Sequence, residues 1–110
     1  QGIDVGATTS NCLIETTDTL AEKIRGSRAL GVVLTSQLAA ALCLANRLPG
    51  VRAVAADSVA GVARSAAAVG ANLLVLDPHG KSLFQLRQMV VEFCRPGPRE
   101  CPEALRDRLA

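Results

Sequence analysis

The chain has 110 residues, 49% of them hydrophobic and 20% charged, with 12 basic and 10 acidic side chains and a formal net charge of +2. These proportions exclude intrinsic disorder and suit one compact α/β domain over residues 1–110. Only two aromatic residues are present, both Phe, which disfavours base-stacking nucleic-acid modules and aromatic sugar platforms, and the near-balance of charge disfavours a phosphate-backbone binder. The longest clean apolar run, from Leu38 to Ala45, is far too short to cross a bilayer, and no leader pattern opens the chain. The expectation is a cytoplasmic protein with no nucleic-acid and no membrane partner.

Taken in chain order, Gly2-Ile3-Asp4-Val5-Gly6 reads as a short strand followed by the polar loop Thr8-Thr9-Ser10-Asn11. Thr16 or Thr17 is placed to cap a helix reaching about Arg28, with Glu22 in a capping-box role. The continuous apolar run Leu30-Gly31-Val32-Val33-Leu34 suits a strand buried on both faces. A helix from about Gln37 to Arg47 follows, with Thr35 or Ser36 as N-cap. Pro49-Gly50 marks a turn before a third strand, Val51-Arg52-Ala53-Val54-Ala55. Asp57 or Ser58 then caps a helix ending near Val69, and Gly70 closes it.

Leu73-Leu74-Val75-Leu76 is the fourth strand, and a last long helix runs from about Ser82 to Cys94. Pro96-Gly97-Pro98 ends that helix, leaving a tail over 96–110 with a short helix from about Pro102. Strand–helix alternation with short links predicts a three-layer α/β/α sandwich, Rossmann-like, with a mainly parallel sheet of about four to five strands. Ligands in such sheets sit at the C-terminal strand edge. The loops of interest are therefore 7–11, 35–37, 56–58 and 77–81.

Few residues in those loops carry distinctive chemistry. Gly80-Lys81-Ser82 mimics the end of a phosphate-binding loop, but that motif needs a glycine where Val75 stands, so a loop and helix cap is the better reading. His79 is the only imidazole, with Asp77 close enough in sequence to orient it. Asp4 stands as a turn cap or a cleft-lining residue. Thr35, Ser36 and Gln37 precede a helix N-terminus, where free amides and two hydroxyls favour an anion. Arg52, on an otherwise apolar strand, calls for a salt bridge or a route to solvent. Four cysteines (12, 43, 94 and 101) lack metal-binding spacing; Cys94 and Cys101 lie within reach of a bridge, but reduced thiols suit the expected compartment. No metal and no cofactor are called for.

From Gly31 to Leu76 the spacing resembles, without a gap, the ribose-5-phosphate isomerase B and galactose-6-phosphate isomerase family. The matching residues are Gly31-Val32-Val33-Leu34, then Ala45-Asn46-Arg47-Leu48-Pro49-Gly50-Val51-Arg52-Ala53, then Ala71-Asn72-Leu73-Leu74-Val75-Leu76. Gly2 to Gly6 also looks like the family's Ile-Asp-Val-Gly strand. The resemblance implies a sugar phosphate or other small anion as ligand. It also implies aldose–ketose isomerisation through an enediol without a metal, and a dimer with shared active sites.

Such chemistry needs a base, oxyanion donors and an anion cradle. Thr35 stands where the family has its catalytic cysteine, and Ser36-Gln37-Leu38-Ala39-Ala40 where it has the Gly-Thr-Gly-x-Gly cradle. Ala68-Val69-Gly70 replaces the His-Asn-Asp set, and the family's first strand–helix unit, which lies inside its sheet, is absent. The expectation is an isomerase-like domain that has lost the reaction and binds a ligand or partner through Thr35, Ser36 and Gln37. Two alternatives stand beside it. One is a divergent isomerase using Thr35, Asp77, His79 or Asp57 as base; the other is a non-catalytic subunit pairing with an active homologue. The expected assembly is a homodimer or a hetero-oligomer with a related subunit.

Overall fold

The structure, a computed structural model, describes residues 3–7, 13–25 and 29–109. Four strands, β1 (Ile3–Ala7), β2 (Leu30–Leu34), β3 (Ala53–Ala55) and β4 (Leu73–Leu76), alternate with α1 (Leu13–Arg25), α2 (Leu38–Asn46), α3 (Val59–Val69) and α4 (Leu83–Cys94). A 3₁₀ turn at Glu103–Leu105 leads into the four-residue α5 (Arg106–Leu109). All the strand pairs are parallel, in the order β1-β2-β4-β3. The expected three-layer α/β/α sandwich is present, with four strands among the described residues.

The two-residue period of the central strands builds the layers. Val33, Leu73 and Val75 face one side, where Leu20, Ala21 and Ile24 of α1 and Ala41 and Ala45 of α2 cover them. Leu30, Val32, Leu74 and Leu76 face the other, against Val62 and Ala66 of α3 and Met89 and Phe93 of α4. Because both faces of β2 and β4 are buried, those strands read as unbroken apolar runs. The small residues at 41, 45, 62 and 66 let the helices lie close to the sheet. Each fully buried large side chain, such as Phe93 or Ile24, contributes about 1.5–3 kcal/mol. The Arg99 guanidinium closes the end of this layer, 4.9 Å from the Phe93 ring centroid.

β3 is the edge strand, and side-chain amides hold it. Asn46 Nδ2 donates to the Ala53 carbonyl at 3.1 Å, and its Oδ1 accepts from the Ala53 N–H at 2.8 Å, as a neighbouring strand would. Asn72 Oδ1 accepts from the Arg52 N–H at 2.8 Å while its Nδ2 donates to the Gly50 carbonyl at 2.8 Å. These bonds explain why the strand starts at Ala53: the Val51 and Arg52 amides, expected to lie in it, serve the turn and Asn72 instead. Arg52 makes no salt bridge among the described residues. Its Nε donates to the Gly70 carbonyl at 2.9 Å and its Nη2 to the Arg99 carbonyl at 3.4 Å.

Several expected caps hold. Ser58 accepts from the Gly61 N–H, and Ser82 forms a capping box with Gln85. Gly70 adopts φ 64°, and a Cβ there would run into the Glu100 carbonyl. Other expectations are corrected. α1 begins at Leu13 and ends at Arg25, so Thr17 lies inside the helix, fully buried, and neither caps it nor sets Glu22 in a capping box. Thr17 Oγ1 has no hydrogen-bond partner among the described residues. α2 begins at Leu38 with Gln37 at its N-cap and no side-chain cap bond, so neither Thr35 nor Ser36 caps it. Cys43, Cys94 and Cys101 are free thiols; burial pushes the Cys94 thiol up, and Arg99 partly offsets this. The loop expected at Thr8 to Asn11, with Cys12, lies outside the described residues, as does Arg28.

β1 pairs directly with β2, Ile3 opposite Leu30 through Ala7 opposite Leu34. Among the described residues no strand separates them. Replacing Asn72 with Ala leaves the Arg52 N–H and Gly50 carbonyl without their partner. It should cost about 1–3 kcal/mol, read as a lower urea midpoint at unchanged slope.

Candidate functional site

Strand order and helix placement together locate the site. β2 leads into α2 on one face of the sheet, and β4, its neighbour, leads into α4 on the other. The loops leaving their C-terminal ends therefore diverge and open a crevice between them, the switch point at which parallel α/β sheets hold ligands. Its walls are residues 35–37 after β2 and 77–81 after β4. The Thr35 N–H donates to the Leu76 carbonyl at 2.9 Å and joins the two. Thus Thr35, Ser36, Gln37, Asp77 and His79 come to one edge, and the 56–58 loop after β3 lies alongside. Asp4 does not join them: it is the second residue of β1, opposite Gly31 and toward the other edge.

On the β2 side, Thr35 is 3% exposed and its Oγ1 accepts from the Gln37 N–H at 3.0 Å. That bond shapes the turn into α2 and points the hydroxyl's acceptor at the backbone. Ser36 is exposed and Gln37 half-buried. The first bond of α2 runs from the Ala41 N–H to the Gln37 carbonyl at 3.0 Å. The amides of Leu38, Ala39 and Ala40 precede that bond and have no partner within the helix. Without a capping side chain they retain the partial positive charge of a helix N-terminus.

On the β4 side, the Asp77 carboxylate accepts from the His79 backbone N–H at 2.9 Å. The expected role of orienting the imidazole is thus not met, and the exposed His79 ring makes no hydrogen bond among the described residues. Gly80 takes φ 75°, turning the chain so that Lys81 folds back. Lys81 Nζ donates to the Asp77 carbonyl at 3.0 Å and lies 3.8 Å from Asp57 Oδ1. Its side chain is 12% exposed, whereas that of Asp57 is 91% exposed.

Lys81 is the residue that sequence reasoning passed over. It was legible only as part of an incomplete phosphate loop; its half-burial comes from the Gly80 turn and the Ser82 cap. The arrangement offers one ammonium, a hydroxyl at Ser36 and open helix amides, which together suit an anion. Of the base candidates, the Thr35 hydroxyl is a very weak one, the Asp77 carboxylate accepts the His79 backbone N–H, and Asp57 and His79 face solvent. Ala68-Val69-Gly70 lies at the C-terminal end of α3, the opposite edge of the sheet, so one chain does not bring it to Thr35. Among the described residues no group of three His, Cys, Asp or Glu could hold a metal, and no helix is long and apolar enough to cross a membrane.

Comparison with solved structures agrees with this topology. Type B ribose 5-phosphate isomerase from Trypanosoma cruzi superposes with a TM-score of 0.78 over 99% of this chain and 93% of that one, at 16% identity. This chain has the type B ribose 5-phosphate isomerase fold. Ribose-5-phosphate isomerase B from Mycoplasma genitalium, solved with bound ribulose 5-phosphate, gives a TM-score of 0.78 at 14% identity, covering 96% of this chain and 90% of that one. The Thermotoga maritima enzyme gives 0.68 at 17% identity, covering 96% and 93%. No family model and no curated protein sequence matches the chain.

The isomerase-like fold therefore rests on three-dimensional likeness. Within the site, the Thr35 hydroxyl holds the Gln37 N–H. Thr35→Val should lower stability by about 1–2 kcal/mol by leaving the Gln37 N–H unpaired, and Thr35→Ser should restore most of that. Urea denaturation of the three proteins measures the difference.

Proposed function

We propose that this chain is an isomerase-like domain that binds a sugar phosphate or another small anion at the β2–β4 crevice without interconverting aldose and ketose. The observation that carries this reading is the Thr35 hydroxyl. It stands where the resemblance places a thiol base, is buried, and already accepts the Gln37 N–H. Enediol formation needs a group that takes a proton from carbon at neutral pH, and an alcohol without an adjacent base does not. Ser36, Leu38 and Ala40 stand where the resemblance places glycines of the cradle and add side chains where a ligand would approach the backbone. Lys81, Ser36 and the α2 amides supply the anion binding.

The partner we propose is a second copy of this chain or a related subunit. Leu83 and Phe84, 83% and 69% exposed at the start of α4, support a partner-facing surface beside the crevice. The separation of Thr35 from Ala68-Val69-Gly70 within one chain supports sites shared between subunits. The free thiols at Cys43, Cys94 and Cys101 support a cytoplasmic setting.

Incubation with ribose 5-phosphate should give no ribulose 5-phosphate above the buffer rate, and clear turnover would sink the non-catalytic reading. Thermal shift against ribose 5-phosphate and inorganic phosphate should register binding that Lys81→Met weakens about ten-fold. No shift with any sugar phosphate would remove the ligand from the proposal and leave the partner role.

A further inference from the structure

We propose that a second ligand site lies at the opposite end of the sheet, an open cleft that takes an organic anion with an apolar body. The cleft has a volume of about 550 Å³, within the range of small-molecule sites. Its floor is the start of β3, its two sides are the C-terminal ends of α2 and α3, and α5 lies across it. None of the crevice residues 35–37, 57 or 77–81 lines it.

Three arginines, Arg47, Arg52 and Arg108, line the cleft, and among the described residues no Asp or Glu does. Arg47 is paired with Asp18 at 2.7 Å. Arg52 is held in place by the carbonyls of Gly70 and Arg99. Those acceptors are neutral, so they orient the fork without cancelling its charge. Arg108 is exposed and has no hydrogen-bond or ion-pair partner among the described residues. The carbonyl ends of α2 and α3 offset part of the positive charge. After one carboxylate and two half-charges of helix ends, a net positive charge of about one remains. That balance suits a monoanion.

The other walls are apolar, Leu48, Val51, Val69 and Leu109 among them, which calls for a hydrophobic body on the ligand. An added β-strand is disfavoured, because the Asn46 amide already occupies the outward N–H and C=O of Ala53. A small amphipathic carboxylate or sulfonate satisfies both features.

The probe is 8-anilinonaphthalene-1-sulfonate, an anion on an apolar frame, titrated into the folded full chain and followed by fluorescence. Saturable binding is expected, about ten-fold weaker for its uncharged analogue N-phenyl-1-naphthylamine and about ten-fold weaker in Arg108→Gln. Leu109→Asp, which alters the apolar wall and leaves every arginine in place, should weaken the probe similarly, with circular dichroism confirming the fold of both variants. A Leu83→Ser/Phe84→Ser variant should retain binding, and saturating ribose 5-phosphate should not displace the probe, which keeps this site separate from the crevice. Equal binding of the uncharged analogue, an unaltered Arg108→Gln, loss of binding in the Leu83/Phe84 variant, or no saturable binding would each overturn the proposal.

Discussion

The bracketing of β3 by two asparagine amides is the constraint on which much of the molecule depends. β3 has three residues and a neighbour on one side only, too little pairing to place a strand firmly. Asn46 replaces the missing neighbour at Ala53, and Asn72 clamps the Pro49-Gly50 turn through Gly50 and Arg52. With β3 held, β4 is covered on both edges and becomes an interior strand. An interior β4 in turn presents its C-terminal loop, with Asp77 and Lys81, beside the loop that leaves β2. The crevice at one end of the sheet thus rests on amide contacts at the other.

The same arrangement explains why the likeness to the isomerases lies in the frame. Asn46, Pro49, Gly50, Arg52 and Asn72, the residues that match that family's pattern, all serve backbone positions. Asn46, Arg52 and Asn72 satisfy N–H and C=O groups, so a change there leaves a polar group unpaired, while Pro49 and Gly50 set the turn. Positions 35–40 and 68–70 bear no such duty toward the sheet, apart from the Thr35 turn and the left-handed Gly70. Thr, Gln, Leu, Ala and Val are therefore compatible there with an intact fold. At 14–17% identity the solved isomerases share the frame, while the chemistry must be judged from the side chains in the crevice.

Much of the frame was legible residue by residue. The apolar run of β4, the caps at Ser58 and Ser82 and the stop at Gly70 each carry a local physical signal, and each element falls where that signal puts it. The misses have a common cause, a polar residue whose partner is not local. Thr16 and Thr17 look like caps, yet Thr17 lies on the buried stripe with Leu20, Ala21 and Ile24. Thr35 looks like a cap, yet its hydroxyl serves a turn one step earlier. Arg52 looks like half of an ion pair and instead bonds two carbonyls distant in sequence. Of the candidate site, the loops and Thr35, Ser36 and Gln37 could be named in advance; Lys81 could not, because its burial follows from how the 77–81 loop folds.

The sequence by itself determined the alternation of strands and helices, the parallel sheet and the absence of a thiol base at position 35, because periodicity, caps and residue identity act locally. Tertiary structure alone decided which loops face one another, that the Asp77 carboxylate serves a backbone amide rather than the His79 ring, and that three arginines gather at the far edge. Those facts depend on strand order and chain crossings. Contacts between residues 18 and 47, or 52 and 99, come from loop closures that no short window of sequence contains.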